Sequence, residues 1–416
     1  MRFVLLELGR VPMTTIDIDR GERLHGLDAL RGGALLLGVV LHGAMSFFPD
    51  QIWIVADDQR SPWASGLFFF IHLFRMATFF LIAGLFAHAM VERRGLGRFV
   101  VDRLVRIAAP LVVFWPLVMA GIIAVLIWIG ARMNMSAADA PPPPAFTVAS
   151  FPLTHLWFLW VLLFLYAGFV ILRLAASVLG RGASFGRVLD PVTAGLVGPW
   201  GAFILGAPVA LALWLQPNWL AFFGVPTPDT GLVPNTPALV AFGLAFGFGA
   251  LLDRRRDLLE RIKSWTPAFL GLALAAGATA MAVVGGPTPQ LTPLTDPQAK
   301  AMAAAAFGVG VYASVFAAVG VSLILFSGSS RVRRYLADAS YWIYIVHLPL
   351  VMAAQVWVQH LALPWALKLT LVVAGVSAVS LISYELLIRH SFMGWWLNGR
   401  RIPWRRRPTP VLAPAE

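Results

Sequence analysis

The stretch GLFFFIHLFRMATFFLIAGLFAHAM, residues 66–90, decides the fold. It is apolar from end to end apart from His72, Arg75, Thr78 and His88. A helix of that length rises about 37 Å, more than the ~30 Å hydrocarbon core of a bilayer. Inside lipid every backbone N–H and C=O must find a partner within the protein, which leaves helices or a closed barrel. Barrel strands alternate apolar and polar residues, and no such alternation occurs here. The segment reads as a membrane-spanning helix.

The same reading extends in both directions. Apolar runs recur at 27–48, 66–90, 107–129, 155–179, 193–214, 237–252, 266–285, 302–326, 339–360 and 365–388, ten spans in all. Composition agrees. Of 416 residues, 59% are hydrophobic and 12% charged, whereas soluble domains carry about 25% charged residues. Mean hydropathy is +0.78. So few charges cannot cover a water-facing surface of this size, which excludes intrinsic disorder and a soluble nucleic-acid binder despite a net charge of +12. The predicted fold class is an all-α integral membrane protein of about ten transmembrane helices. Residues 24–390 form one membrane domain between an N-terminal tail, 1–23, and a basic C-terminal tail, 391–416. Met1–Thr15 lacks the sustained apolar core of a signal peptide and reads as a tail or an upstream start.

Under strict alternation, 26 Lys and Arg fall on one side of the spans and 4 on the other. The positive-inside rule then puts both termini in the cytoplasm. Most of the net charge is therefore topology and contact with anionic lipid. With no cysteine, thiolate-bound metals and a thiol nucleophile are excluded, and no metal centre is expected. Gly243, Gly247, Gly249, Gly308 and Gly310 read as close helix packing. Pro141–Pro144 predicts a stiff polyproline stretch, and Arg400–Arg407 with Trp404 an interfacial anchor.

Ionisable groups at membrane depth are costly and carry the functional hypotheses. Arg31 and His42 stand eleven residues apart, about 16.5 Å of helix rise and about 20° past three turns, so they share one face. Asp28, one turn before Arg31, is placed to pair with it. This wall holds an anion at its inner end and a proton acceptor farther out. The alternative is an arginine snorkelling to headgroups and a hydrogen-bonded structural histidine. His72 and Arg75 share a face of the second span, where an arginine needs a protein or ligand partner. Arg93, Arg94, Arg98, Arg103 and Arg106 form a basic loop that topology largely explains, although Arg103 and Arg106 also suit phosphates. His155 opens the fourth span among tryptophans, and His347 lies mid-span with Tyr344 on the same face. Glu385 and Arg389 have the spacing of a structural ion pair. His25, His88, His360 and His390 carry no specific signal, and most tryptophans read as an interfacial belt.

Arg31-x10-His42 after Leu27-Asp28-x-Leu30, the Phe-rich second span with Arg103, Arg106 and Pro110 beyond it, His155-Leu-Trp157-Phe-Leu, and Tyr344-x-x-His347-x-Pro349 together resemble the membrane acyltransferase-3 family. The runs His72-x-Phe74-Arg75-Met76 and Tyr384-Glu385-x-x-x-Arg389 more narrowly resemble its glucan biosynthesis protein C branch, associated with succinylation of periplasmic glucans. The resemblance covers residues 24–390.

That resemblance implies transfer of a succinyl or acetyl group from cytoplasmic acyl-CoA to a sugar hydroxyl of an envelope glucan, in a bacterial inner membrane. Acyl-CoA is a co-substrate, and no permanently bound cofactor is implied. His42 matches the family's catalytic histidine, and Arg31 its donor-side site. Arg103 and Arg106 are expected to help hold the donor. His72, Arg75 and His347 are expected to position the acyl group or stabilise an oxyanion, and His155, Trp157 and Tyr344 to meet the acceptor. Proteins of glucan synthesis are the expected partners, and nucleic acid is not one. The alternative from another class is a secondary transporter or flippase using the same buried Arg and His residues.

Overall fold

The computed structural model describes residues 15–135, 146–180, 182–399 and 402. Pro141–Pro144, Trp404 and most of the two tails lie outside these residues. The described chain is helical, with an isolated bridge between Pro152 and Thr230 in place of any sheet. Its helices are α1 (Thr15–Ala44), α2 (Pro62–Arg94), α3 (Leu96–Arg103), α4 (Ala109–Arg132), α5 (Trp157–Val178), α6 (Gly182–Leu196) and α7 (Gly201–Leu215). They continue with α8 (Thr236–Arg254), α9 (Leu258–Ser264), α10 (Thr266–Val283), α11 (Pro297–Leu325), α12 (Arg331–Val358), α13 (Trp365–Ser383) and α14 (Phe392–Asn398).

Local chemistry sets the helix ends. Ser61, Asn235 and Asp296 each accept a backbone N–H of the first turn, and each is followed by proline at or near the first helical position. That combination satisfies an orphan donor and presets φ for the helix. Gly95, at φ +81°, ends α2 and turns the chain into α3.

Nine helices among the described residues are long and apolar enough to span a bilayer, matching nine of the ten expected spans. The remaining one, expected at 193–214, is broken: α6 and α7 meet at 94°. Gly198 and Pro199 sit at the break. The expected basic loop ending at Arg106 and two further segments between the expected spans are partly helical. Residues 91–106 belong to α2, α3 and a following π-turn, 258–264 form α9, and the 173–187 segment ends in α6. Their apolar positions find a core to pack on: Phe99, Leu258, Leu259 and Ile262 are buried. At the other end, α14 packs back on the bundle and buries Leu397.

Two large apolar clusters build most of the interior. One joins α2, α8 and α11 with α7 and α10, and the other joins α4, α12 and α13. Glycine lets the first close tightly. Gly84 lies against the Phe246 carbonyl, Gly249 against that of Leu81, and Gly206 against Gly308, so a Cβ at any of these would strike backbone. Gly247 has open space instead and plays no such part. Helices α1 and α5 contribute residues to both clusters, Leu41 and Trp157 to the first, Val39 and Leu159 to the second. The seam they form is where the ionisable residues collect.

Candidate active site

A cavity of about 1090 Å³ runs along this seam. At one end it is lined by Arg31, Arg93, Arg94, Arg103 and Arg106. His42, His72, Arg75, His155 and His347 line its middle, and Thr154, Thr227, Asp229 and Thr230 its other end. Arg31 and His42 thus face one space, as their spacing on α1 requires.

In the middle, the His42 ring lies 5.3 Å from that of His347, which lies 4.8 Å from that of His155. Backbone geometry fixes two of these imidazoles. Pro349 has no N–H to give the Ile345 carbonyl four residues before it, and His155 Nε2 donates to that carbonyl instead, at 3.1 Å. His347 Nδ1 donates to the Tyr344 carbonyl at 2.7 Å. A carbonyl only accepts, so in the neutral rings the protons sit on these nitrogens, leaving His155 Nδ1 and His347 Nε2 as acceptors. Both remaining nitrogens are buried without a partner, as is His42 Nδ1. A neutral His347 in this tautomer cannot donate to an oxyanion.

Arg75 can. Its guanidinium lies across α1 at Gly38, one turn from His42, where a Cβ would collide with it. Among the described residues no carboxylate pairs with Arg75, and its buried Nε has no partner. A buried guanidinium without a counter-charge is costly and suits an anionic or oxyanionic ligand group. His72, one turn before Arg75, stacks on Phe68 with ring centroids 5.2 Å apart.

Gln355 holds the end of α1. The last carbonyls of a helix lack intrahelical partners, and Gln355 Nε2 donates to those of His42, at 2.8 Å, and Gly43, at 3.2 Å. Its Oε1 accepts from Trp53 Nε1 at 2.9 Å, which puts the indole 6.1 Å from the His42 ring.

The arginine end is partly self-neutralised. Asp102 meets Arg103 and Arg106, each at 2.8 Å, and Arg103 also lies over Phe99 and Tyr166. The π-turn at 104–108 keeps both arginines facing inward. Its displaced backbone is capped by aromatic donors, Trp396 Nε1 to the Val105 carbonyl and Tyr341 Oη to that of Arg106. Arg31 is more open, paired loosely with Asp28 at 3.8 Å and donating to the Ala337 carbonyl at 3.4 Å.

Two expected acceptor contacts are engaged elsewhere. Tyr344 Oη donates to the His155 carbonyl at 2.7 Å, so this hydroxyl braces α5 against α12. Trp157 lines the cavity but is buried and stacked on Phe242. Glu385 and Arg389 form the anticipated ion pair at 2.8 Å, joined by His390. His88 is held at 2.8 Å by Asp253.

Sequence reasoning missed Gly38, Gln355, Asp102 and Asp229. Gly38 lies one turn from His42 on the same face, a signal that was available. Gln355 and Asp229 meet the site only through tertiary contacts. No metal-binding group of three or more His, Cys, Asp or Glu occurs among the described residues.

Comparison with known proteins supplies the family. Glucans biosynthesis protein C from Escherichia coli (strain K12) is 28% identical over 141 residues, 34% of this chain and 36% of the relative. The same protein from Shigella dysenteriae serotype 1 (strain Sd197) matches to the same extent. The chain thus matches about a third of the length of these curated relatives. No solved structure matches. The acyltransferase-3 family, described as an acyltransferase domain, matches residues 24–385, and this multi-pass membrane protein belongs to that family.

Proposed function

We propose that this protein is an inner-membrane O-acyltransferase, with both termini cytoplasmic, that moves an acyl group from cytoplasmic acyl-CoA to a sugar hydroxyl of an envelope glucan. The observation that supports this most is the shared cavity: arginines at one end, His42 beside an uncompensated Arg75 in the middle, and a neutral-to-acidic mouth at the other. Arg31, with Arg103 and Arg106 around Asp102, receives the polyphosphate end of the donor, and the pantetheine arm follows the wall of α1 toward His42. His42 takes the proton of the sugar hydroxyl, whose oxygen attacks the thioester carbonyl carbon. The carbonyl electrons move onto oxygen, where Arg75 donates hydrogen bonds. Collapse breaks the C–S bond, and the imidazolium returns its proton to the departing thiolate, leaving CoA thiol and a sugar ester. With a succinyl donor, Arg75 binds the distal carboxylate as well or instead. His347 and His155 present acceptor nitrogens that orient the incoming hydroxyl, and His72 packs beside the acyl chain. The glucan acceptor, and glucan-synthesis proteins as partners, follow from the partial likeness to glucans biosynthesis protein C.

The test uses purified protein in lipid nanodiscs with radiolabelled acetyl-CoA or succinyl-CoA and a glucan oligosaccharide. Label should appear as a base-labile ester on the sugar and vanish with His42→Ala and His42→Gln. Normal transfer by both variants overturns the assignment of His42. Saccharide or anion flux through proteoliposomes with no ester formed overturns the enzyme reading in favour of transport.

A further inference from the structure

The mouth of the cavity opposite the arginines is a built site rather than a frayed opening. Two loops are zipped together there: Gly231 N–H donates to the Phe151 carbonyl at 2.9 Å, Leu232 N–H to Val148 at 2.7 Å, and Thr154 N–H to Asp229 at 3.0 Å. Trp160 Nε1 donates to the Leu232 carbonyl and Asn235 Nδ2 to that of Pro226, anchoring the second loop to α5 and α8. Thr154 is held at φ +52°, a strained conformation for a β-branched residue, and its buried hydroxyl has no partner. Strain of this kind persists where the surroundings impose it.

Asp229 is the sole charged side chain among the residues lining this mouth; the cavity's other charges lie in its middle and at the arginine end. Its carboxylate is met by backbone N–H groups of its own turn, and no cation pairs with it among the described residues. Around it stand Thr227, Thr230 and Thr154, with Trp53 and Phe223 on the path to His42. A fixed carboxylate, hydroxyls and aromatic faces form a surface for a polyol: the carboxylate oxygens accept from two hydroxyls while the rings cover C–H faces.

We infer that Asp229 selects the acceptor: this mouth takes an uncharged polyhydroxylated saccharide and rejects anionic ones. The inference rests on the acyl-transfer reading and names the residue that sets its acceptor preference. The cavity is thereby polar in two senses. Its arginine end attracts the anionic donor, while Asp229 repels that donor, and any anionic saccharide, from the acceptor end. Asp229 is open to solvent at this mouth, yet partial desolvation by the surrounding walls raises its carboxyl above the usual carboxylate range, against the pull of its backbone hydrogen bonds.

The experiment compares a neutral glucan oligosaccharide with the same oligosaccharide bearing a uronate, on wild type, Asp229→Asn and Asp229→Glu in nanodiscs. Wild type should prefer the neutral acceptor by about tenfold or more in kcat/KM. Asp229→Asn keeps the size and the backbone hydrogen bonds, so the acceptor KM should rise about tenfold with the acyl-CoA KM unmoved, and the preference should shrink. Asp229→Glu should retain the preference. An unchanged acceptor KM and preference in Asp229→Asn, or a wild type that favours the uronate, overturns the inference. Direct binding of both oligosaccharides, read by tryptophan fluorescence, gives a second measure. If wild type binds the neutral saccharide and loses it on Asp229→Asn yet transfers no acyl group, the acyl-transfer reading fails and the saccharide site stands. If it binds neither, the saccharide site fails.

Discussion

Replacing Gly38 with alanine tests the placement of Arg75 without touching an ionisable group. A Cβ at Gly38 overlaps the Arg75 guanidinium, and restoring van der Waals separation moves the nearest nitrogen by about 1 Å. That nitrogen ends a flexible side chain, so the fold absorbs the change. Gly38 lies inside α1, where Gly→Ala gains up to about 1 kcal/mol of helix propensity. Thermal stability should therefore hold or rise slightly. Transfer should not, because displacing a catalytic donor by 1 Å costs on the order of 100-fold. The assay is the labelled-ester reaction in nanodiscs, with a melting curve as the control on folding. Gly249→Ala is the contrasting perturbation: its Cβ meets the Leu81 carbonyl, and such overpacking costs about 1–3 kcal/mol or more, so stability and activity should fall together. A double variant separates the causes further. If Gly38→Ala acts through Arg75, adding it to Arg75→Ala should bring no further loss. A well-folded Gly38→Ala protein with turnover within about twofold of wild type refutes the reasoning.

Other outcomes follow from the same contacts. Gln355→Leu strips the His42 and Gly43 carbonyls and the Trp53 indole of their partner; it should cost about 1–3 kcal/mol and lower kcat with the acyl-CoA KM unchanged, as steady-state kinetics will read. Lys368 and Asp57 form a fully buried pair at 2.7 Å that ties the loop before α2 to α13; Lys368→Ala should destabilise by about 3–5 kcal/mol, and Lys368→Met with Asp57→Leu should recover most of that in thermal melts. Because partial desolvation in the mouth raises the solvent-open Asp229 carboxyl above its unfolded value, the folded protein binds that proton slightly more tightly. Its ionised form thus weakens the fold, and wild-type stability should gain on Asp229→Asn as pH falls through the carboxylate range, measured as the difference between their melting curves.

The amphipathic logic of a soluble protein is absent here, and that made the helices readable. Long apolar runs need no partner to identify them, since lipid itself demands a helix of fixed length, and the spacing of Arg31 and His42 puts them on one face by the helical repeat alone. The charges from Arg93 to Arg106 look like those of a solvent-facing loop, yet packing of Phe99 makes that segment helical, as packing of Leu259 and Ile262 does for 258–264. The 94° break between α6 and α7 carries a sequence mark, the Gly198-Pro199 pair, but the apolar run around it outweighs that mark when spans are read by hydropathy.

Sequence by itself determined which residues sit at membrane depth against their chemistry, and so named His42, His72, Arg75, His155 and His347 as candidates. Tertiary structure alone decided how they meet. His155 reaches His347 because Pro349 leaves the Ile345 carbonyl open for it, a contact between residues 190 positions apart. Arg75 reaches the turn below His42 because Gly38 has no side chain, and Asp229 enters the far mouth on a loop zipped to another at 146–154. Helical periodicity is a property of one segment and is written in its own residues. The meeting of side chains from α1, α2, α12, the turn before α5 and the loop before α8 depends on how those segments close against one another, and no single segment carries that record.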